Sequence, residues 1–254
     1  MKFDGFIFFT VSLLVLIFAQ RQLQREIQII LLILTRKPNL AIGIFSIILL
    51  PGVFIHEISH LLMAIILGVP VSKISLLPEI TKQGKIRLGF VQTAKSDVVR
   101  DSLIGLAPFI IGLFIVAYIG TQKLGFSALV DASYKANISA FLNSLKNLPE
   151  MTDFGLWFYF AFAISTTMIP SEVDRQSWKI IFLVISIILV IVIISGLGGW
   201  MVDHIYPAIN KWLLSISFVL MVSVLVHLLI FLPTWILRVV IFRLTGLQFV
   251  KQEN

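Results

Sequence analysis

The chain has 254 residues, of which 58% are hydrophobic and only 13% charged, and its mean hydropathy is +1.01. Soluble domains carry about 25% charged residues, so disorder, a coiled coil and an ordinary soluble enzyme are excluded and a polytopic membrane protein is expected. The net charge of +7 fits basic loops facing an anionic leaflet better than nucleic acid, because no basic-aromatic motif accompanies it.

A helix needs about 20 apolar residues to cross the hydrocarbon. Phe3–Ala19 is the first such run and reads as a retained span, since Asp4 and the lack of a small-x-small site before Gln20 argue against a cleaved signal. Arg21 to Lys37 mixes charge with leucine and isoleucine at helical spacing, which predicts an interfacial helix or a bent continuation of the first span. Leu40–Leu67 is apolar with a kink expected at Pro51-Gly52.

From Gly68 to Arg100 the helical pattern stops. Pro70, Pro78 and Gly84 separate short alternating runs at Val71–Leu76 and Lys85–Val91, which predict a small β-hairpin or sheet against the membrane. Further spans follow at Leu103–Ile119, Phe154–Ile169, Trp178–Leu197 and Trp212–Val240, the last with an interruption expected at Pro233. Between them, Thr121 to Asp153 carries Phe126, Leu129, Val130, Tyr134, Ile138, Phe141, Leu142, Leu145 and Leu148 at helical spacing. That is an amphipathic segment, too polar to cross and suited to lying on the membrane face. Asn137-Ile138-Ser139 matches a glycosylation acceptor only at the three-residue level. The expected fold is an all-α integral membrane protein of about six transmembrane helices with a small membrane-associated β sheet. Its expected divisions are 1–38, a core at 39–180 with a β region at 69–93 and the amphipathic segment at 121–153, and C-terminal spans at 181–254.

The chemistry concentrates in His56-Glu57-Ile58-Ser59-His60. On a helix, residues four apart share a face, so two imidazoles can grip one metal ion, while Glu57, turned by about 100°, reaches a water on that ion rather than the ion itself. This is the zinc-metalloprotease motif. Ionisable groups inside a span are costly, which raises its significance. A hydrolytic zinc site usually has a third protein ligand. Candidates are Asp174, just past the Pro170 that should end the fourth span, Glu172, and the Asp203-His204 pair. There is no Cys to offer a thiolate. His227, mid-span, reads as a core imidazole bonded to a neighbouring helix.

Residues 40–180 resemble the site-2 protease family of intramembrane zinc metallopeptidases. The likeness rests on His-Glu-x-x-His within a span, a short β region at Val69–Val91, an apolar helix opening with Ala107-Pro108, and a later helix ending in a proline and an aspartate. The resemblance implies Zn2+ held by His56, His60 and Asp174, with Glu57 as the base and membrane-embedded protein segments as substrates. The sequence departs from the family pattern at Ser59, where many members have glycine, and in lacking a glycine after Asp174. Substrate contacts are expected from Thr166 and Thr167, with Ser59 also lining a polar channel, and from a strand edge at Ile86–Gln92 bearing Ile86, Leu88 and Phe90. The competing readings are a non-catalytic metal- or substrate-binding relative and a transporter with a buried polar relay. Lys73, Lys82, Lys85, Arg87, Lys95 and Arg100 place the β region and the zinc site towards the cytoplasmic face, although Arg21, Arg25, Arg36 and Lys37 then fall outside.

Overall fold

The computed structural model of the protein describes residues 4–80, 86–126, 128, 129, 132 and 138–246. It is mostly helical and membrane-like. Helix α1 (Asp4–Thr35) holds the first span and the mixed segment in one piece, so Arg21 onward continues the span instead of forming a separate interfacial helix. No glycine or proline lies between Phe6 and Lys37 to stop it. The helix ends where Arg36 takes φ +52 and Pro38 opens the next one.

The Leu40–Leu67 run forms α2 (Pro38–Ile48) and α3 (Leu50–Ile66), bent by 70° at Leu49, just ahead of the expected Pro51-Gly52 kink. Pro51 sits in the first turn of α3, where a missing N–H does not matter. Next come β1 (Val71–Ser75), β2 (Glu79–Ile80), β3 (Ile86–Arg87) and β4 (Phe90–Thr93). They form two antiparallel ladders, β1 with β4 and β2 with β3, and the first is irregular at Ser72, between Val71 and Lys73.

Helix α4 (Val98–Tyr118) starts under an Asp97 cap whose carboxylate accepts from the amides of Val99 and Arg100. The Arg100 amide above all holds that carboxyl below its usual range. A π-type turn (Ile119–Lys123) follows. Within the expected amphipathic segment, Leu124, Phe126, Leu129 and Leu148 are buried, whereas α5 (Ile138–Asn147) exposes Ile138 and Leu142. Tyr134, Asn137 and the rest of 133–137, with 127, 130 and 131, lie outside the described residues, as do Lys82 and Lys85. The glycosylation match therefore also falls outside them.

Helix α6 (Phe154–Thr167) is only 14 residues long. Helices α7 (Trp178–Ile194) and α8 (Gly198–His204) are bent by 110°. Helix α9 (Tyr206–Thr245) then runs 40 residues straight through Pro233, contrary to the interruption expected there. Only the bond to the Leu229 carbonyl is lost to the proline, and the neighbouring Thr234 hydroxyl donates to the Ile230 carbonyl at 2.9 Å. Among the described residues three helices, α1, α4 with its π turn, and α9, are long and apolar enough to cross a membrane, or up to five spans if each bent pair counts as one. The expected six exceeds this because α6 is too short by length alone.

Helices α1 and α9 pack in parallel along most of their length. The Gly5 amide donates to Asn210 Oδ1 at one end, and a Glu26–Arg238 ion pair joins them further along. Glu26 is 7% exposed, so removing one partner would strand a buried charge. Arg238→Met alone, which leaves the buried Glu26 carboxylate without its cation, is expected to lower unfolding free energy by about 3 kcal/mol. The double change Glu26→Leu with Arg238→Met should cost clearly less. Denaturant titration of the detergent-solubilised protein checks both.

Candidate metal centre

Helix α3 carries His56, Glu57 and His60 into the middle of the bundle because Gly52, one turn earlier, lets it touch α6. A Cβ at Gly52 would lie 2.0 Å from the carbonyl oxygen of Ala163. The Tyr159 hydroxyl adds a tie to the Ile48 carbonyl at 3.0 Å. Glu57 and His60 are buried and His56 is partly exposed. All three line a cavity of about 490 Å³.

Each imidazole is oriented by a backbone carbonyl. His56 Nδ1 lies 2.7 Å from the Thr167 carbonyl and His60 Nδ1 lies 2.9 Å from the Ile104 carbonyl. A carbonyl only accepts, so both Nδ1 atoms carry protons and donate. With the rings neutral, both Nε2 atoms then present bare lone pairs, and these face one another at 3.1 Å. The rings meet edge to face, 81° apart.

The Thr167 carbonyl is available because α6 ends there, leaving its last carbonyls without intrahelical donors. Gln20 Nε2 takes the Ser165 carbonyl at 2.5 Å, and His56 takes that of Thr167. The negative end of the α6 dipole therefore points at the two imidazoles and favours a cation beside them.

Pro170 follows the helix, and the chain turns so that Asp174 faces back. The Ser171 amide and hydroxyl both donate to Asp174 Oδ2, at 2.7 and 2.5 Å. Asp174 Oδ1 lies 3.3 Å from His60 Nε2 and Oδ2 lies 3.7 Å from His56 Nε2. Burial pushes this carboxyl up, but the two imidazoles and the Ser171 hydroxyl outweigh it and hold it well below the usual carboxylate range. The turn docks on α4 at Gly105, where a Cβ would come within 2.0 Å of the Asp174 carbonyl oxygen.

His56, His60 and Asp174 together form a group able to offer three ligand atoms to one metal ion. The donor set fits zinc. Nitrogen and oxygen ligands at about 2.0–2.1 Å around a tetrahedral ion are about 3.3 Å apart. Here the two Nε2 atoms are 3.1 Å apart, Asp174 approaches His60 with Oδ1 at 3.3 Å and His56 with Oδ2 at 3.7 Å, and with one donor atom per residue the three lie within 4.8 Å of one another. Two lone pairs and a carboxylate this close repel unless positive charge lies among them.

The other expected site residues divide. Thr166, Thr167 and Leu88 line the cavity. Ile86 opens β3, and its side chain lies outside the described residues. Phe90 is buried under the cations of Lys73 and Arg87 and does not line the cavity, because its position in β4 turns it away. Ser59 does not line it either: it is 1% exposed and donates to the Ile55 carbonyl of its own helix. Glu172 is exposed in the turn, and Asp203 and His204 belong to exposed α8, where His204 stacks on Trp200. His227 is fully buried, with Nδ1 2.7 Å from the Ser223 carbonyl and Nε2 3.0 Å from the Thr166 hydroxyl, which is the neighbouring-helix contact expected of it.

Four contributors escaped the sequence reading: Ser171, Gly52, Gly89 and Gly105. Ser171 and Asp174 show a serine three residues before an aspartate, a recognisable local turn. A Cβ at Gly89 would lie 3.0 Å from Glu57 Cγ, so a glycine lets the β region approach the carboxylate, a contact with no signal in the sequence. No family profile, curated protein or solved structure matches the chain.

Gly105→Ala should favour α4 locally by about 1 kcal/mol yet displace the Asp174 turn. Zinc affinity, measured by competition with a chromophoric chelator, is expected to fall at least about tenfold. Unchanged affinity would mean that the turn does not supply a ligand.

Proposed function

We propose that the protein is an intramembrane zinc endopeptidase of the site-2 protease kind, hydrolysing peptide bonds of membrane-embedded protein segments. The observation that carries this reading is the convergence of His56 Nε2, His60 Nε2 and the Asp174 carboxylate in one cavity with Glu57. A pure binding site has no use for a buried carboxylate beside a complete ligand set. A transporter relay would spread polar groups over several spans, whereas here they gather on α3 and the turn after α6.

Zinc, which His56, His60 and Asp174 would hold, would supply Lewis acidity, lowering the pKa of water to about 7 and stabilising charge on a scissile carbonyl oxygen. Glu57 takes a proton from the attacking water and delivers it to the leaving amine. His56 and His60 keep their Nδ1 protons on backbone carbonyls throughout, which holds the rings in register. Asp174 stays ionised, tied by Ser171.

A helical substrate must unwind before its peptide bonds are open to attack. Among the described residues β4 pairs only with β1, so its other edge can accept an added strand. Arg87, Leu88, Gly89, Val91, Thr93, Ala94 and Lys95 follow the cavity along this stretch. The added strand would thus lie beside Glu57.

Because α1 and α9 run parallel, the crossings must be odd in number, so the proposed topology has five spans rather than six: one of the two bent pairs re-enters instead of crossing, and α6 is a short span within the bundle. The basic β region lies on the cytoplasmic side, as do the start of α4 and the end of α6 that hold the site. The partners are then transmembrane protein substrates and the lipid bilayer.

Glu57→Gln is expected to keep one zinc per chain while cleavage of a reconstituted transmembrane reporter falls about 10²–10⁴-fold. His56→Ala should lose the zinc as well. Undiminished cleavage in Glu57→Gln would exclude this site as its source, and no cleavage by the wild type would exclude the hydrolase.

A further inference from the structure

Ile104 and His60 make a contact that replaces a bond the helix has lost. In α4 the Ile104 carbonyl should accept from the amide of residue 108, four positions on. Residue 108 is proline and has no N–H to give. The proline ring also crowds the carbonyl four residues back and turns it outward. The freed carbonyl lies in the interior of a helix, where Ile104 is 6% exposed and Ala107 fully buried. A backbone acceptor inside a bilayer must find a donor within the protein. The donor is His60 Nδ1, at 2.9 Å.

We propose that Pro108 is a positioning residue for the metal centre: by withholding its amide it reserves the Ile104 carbonyl for His60 and so aims His60 Nε2 at His56 and Asp174. The inference rests on reading that cluster as a metal site. His56 meets the same requirement by a different device, since its partner carbonyl at Thr167 is free because α6 stops there. Helix α4 does not stop near the site, running on ten residues past Pro108 to Tyr118. An internal carbonyl could be released there only by removing the amide that would claim it.

The test separates the missing amide from the shape of the ring. In the full chain, Pro108→Ala restores the N–H. Lactic acid at position 108, installed as the α-hydroxy analogue of alanine, has the same side chain and no N–H. Zinc affinity by chelator competition is expected to fall about tenfold in Pro108→Ala and to stay within about twofold of wild type in the lactate variant. In metal-free protein labelled with 15N-histidine, the His60 Nδ1 resonance should move in the first variant and hold in the second. Equal losses in both variants, or no loss in either, would overturn the proposal. Should Pro108→Ala fail to fold, glycolic acid at position 105 weakens the Ile104 carbonyl as an acceptor while leaving Pro108 in place. That variant should lose affinity several-fold, and unchanged affinity in it would equally overturn the proposal. A wild-type chain that binds no zinc would remove the metal reading itself, whereas wild-type binding unaffected by the missing amide removes only the role of Pro108.

Discussion

Two imidazole lone pairs 3.1 Å apart, closed in by a carboxylate, cannot lie at ease in a lipid-surrounded interior without positive charge among them. Much of the architecture around α3 can be understood as holding these like-natured groups together. Gly52 brings α3 against α6, Gly105 seats the Asp174 turn on α4, and Ser171 fixes the carboxylate from behind. Each contact opposes a repulsion that a bound divalent cation would turn into attraction.

The bilayer imposes a second constraint, and the site uses it. Backbone carbonyls inside a membrane must all find donors within the protein. The end of α6 and the amide missing at Pro108 create two carbonyls in need, and the two histidines supply the donors. Satisfying the backbone and selecting the imidazole tautomer thus become one event, with no dedicated polar side chain behind either imidazole among the described residues. The Gln20 bond to Ser165 completes the same pattern at the α6 terminus.

The membrane class, the order of apolar segments and the β region after α3 were legible in composition and periodicity, because each rests on many residues acting alike. So were His56, Glu57 and His60, whose spacing on one helix determines their relation before any tertiary contact forms. The Asp174 turn could be narrowed only to a few candidates, because its approach depends on the close contact at Gly105, which no periodicity encodes. Helix boundaries shifted for local reasons. Arg21 onward stayed in α1 for want of any breaker, and Pro233 failed to break α9 because a single lost bond inside a long packed helix is tolerated. Phe90 and Ser59 were misplaced because a strand or helix pattern assigns a face but does not say which neighbour covers it.

The most direct measurement is X-ray absorption at the zinc edge on the full chain, purified without chelators and supplied with one equivalent of zinc. Stoichiometric zinc with nitrogen and oxygen ligands at about 2.0–2.1 Å and outer-shell scattering from two imidazoles is expected, and no bound zinc in His60→Ala. Zinc that fails to bind, or that binds with no imidazole scattering, would contradict the proposed metal centre.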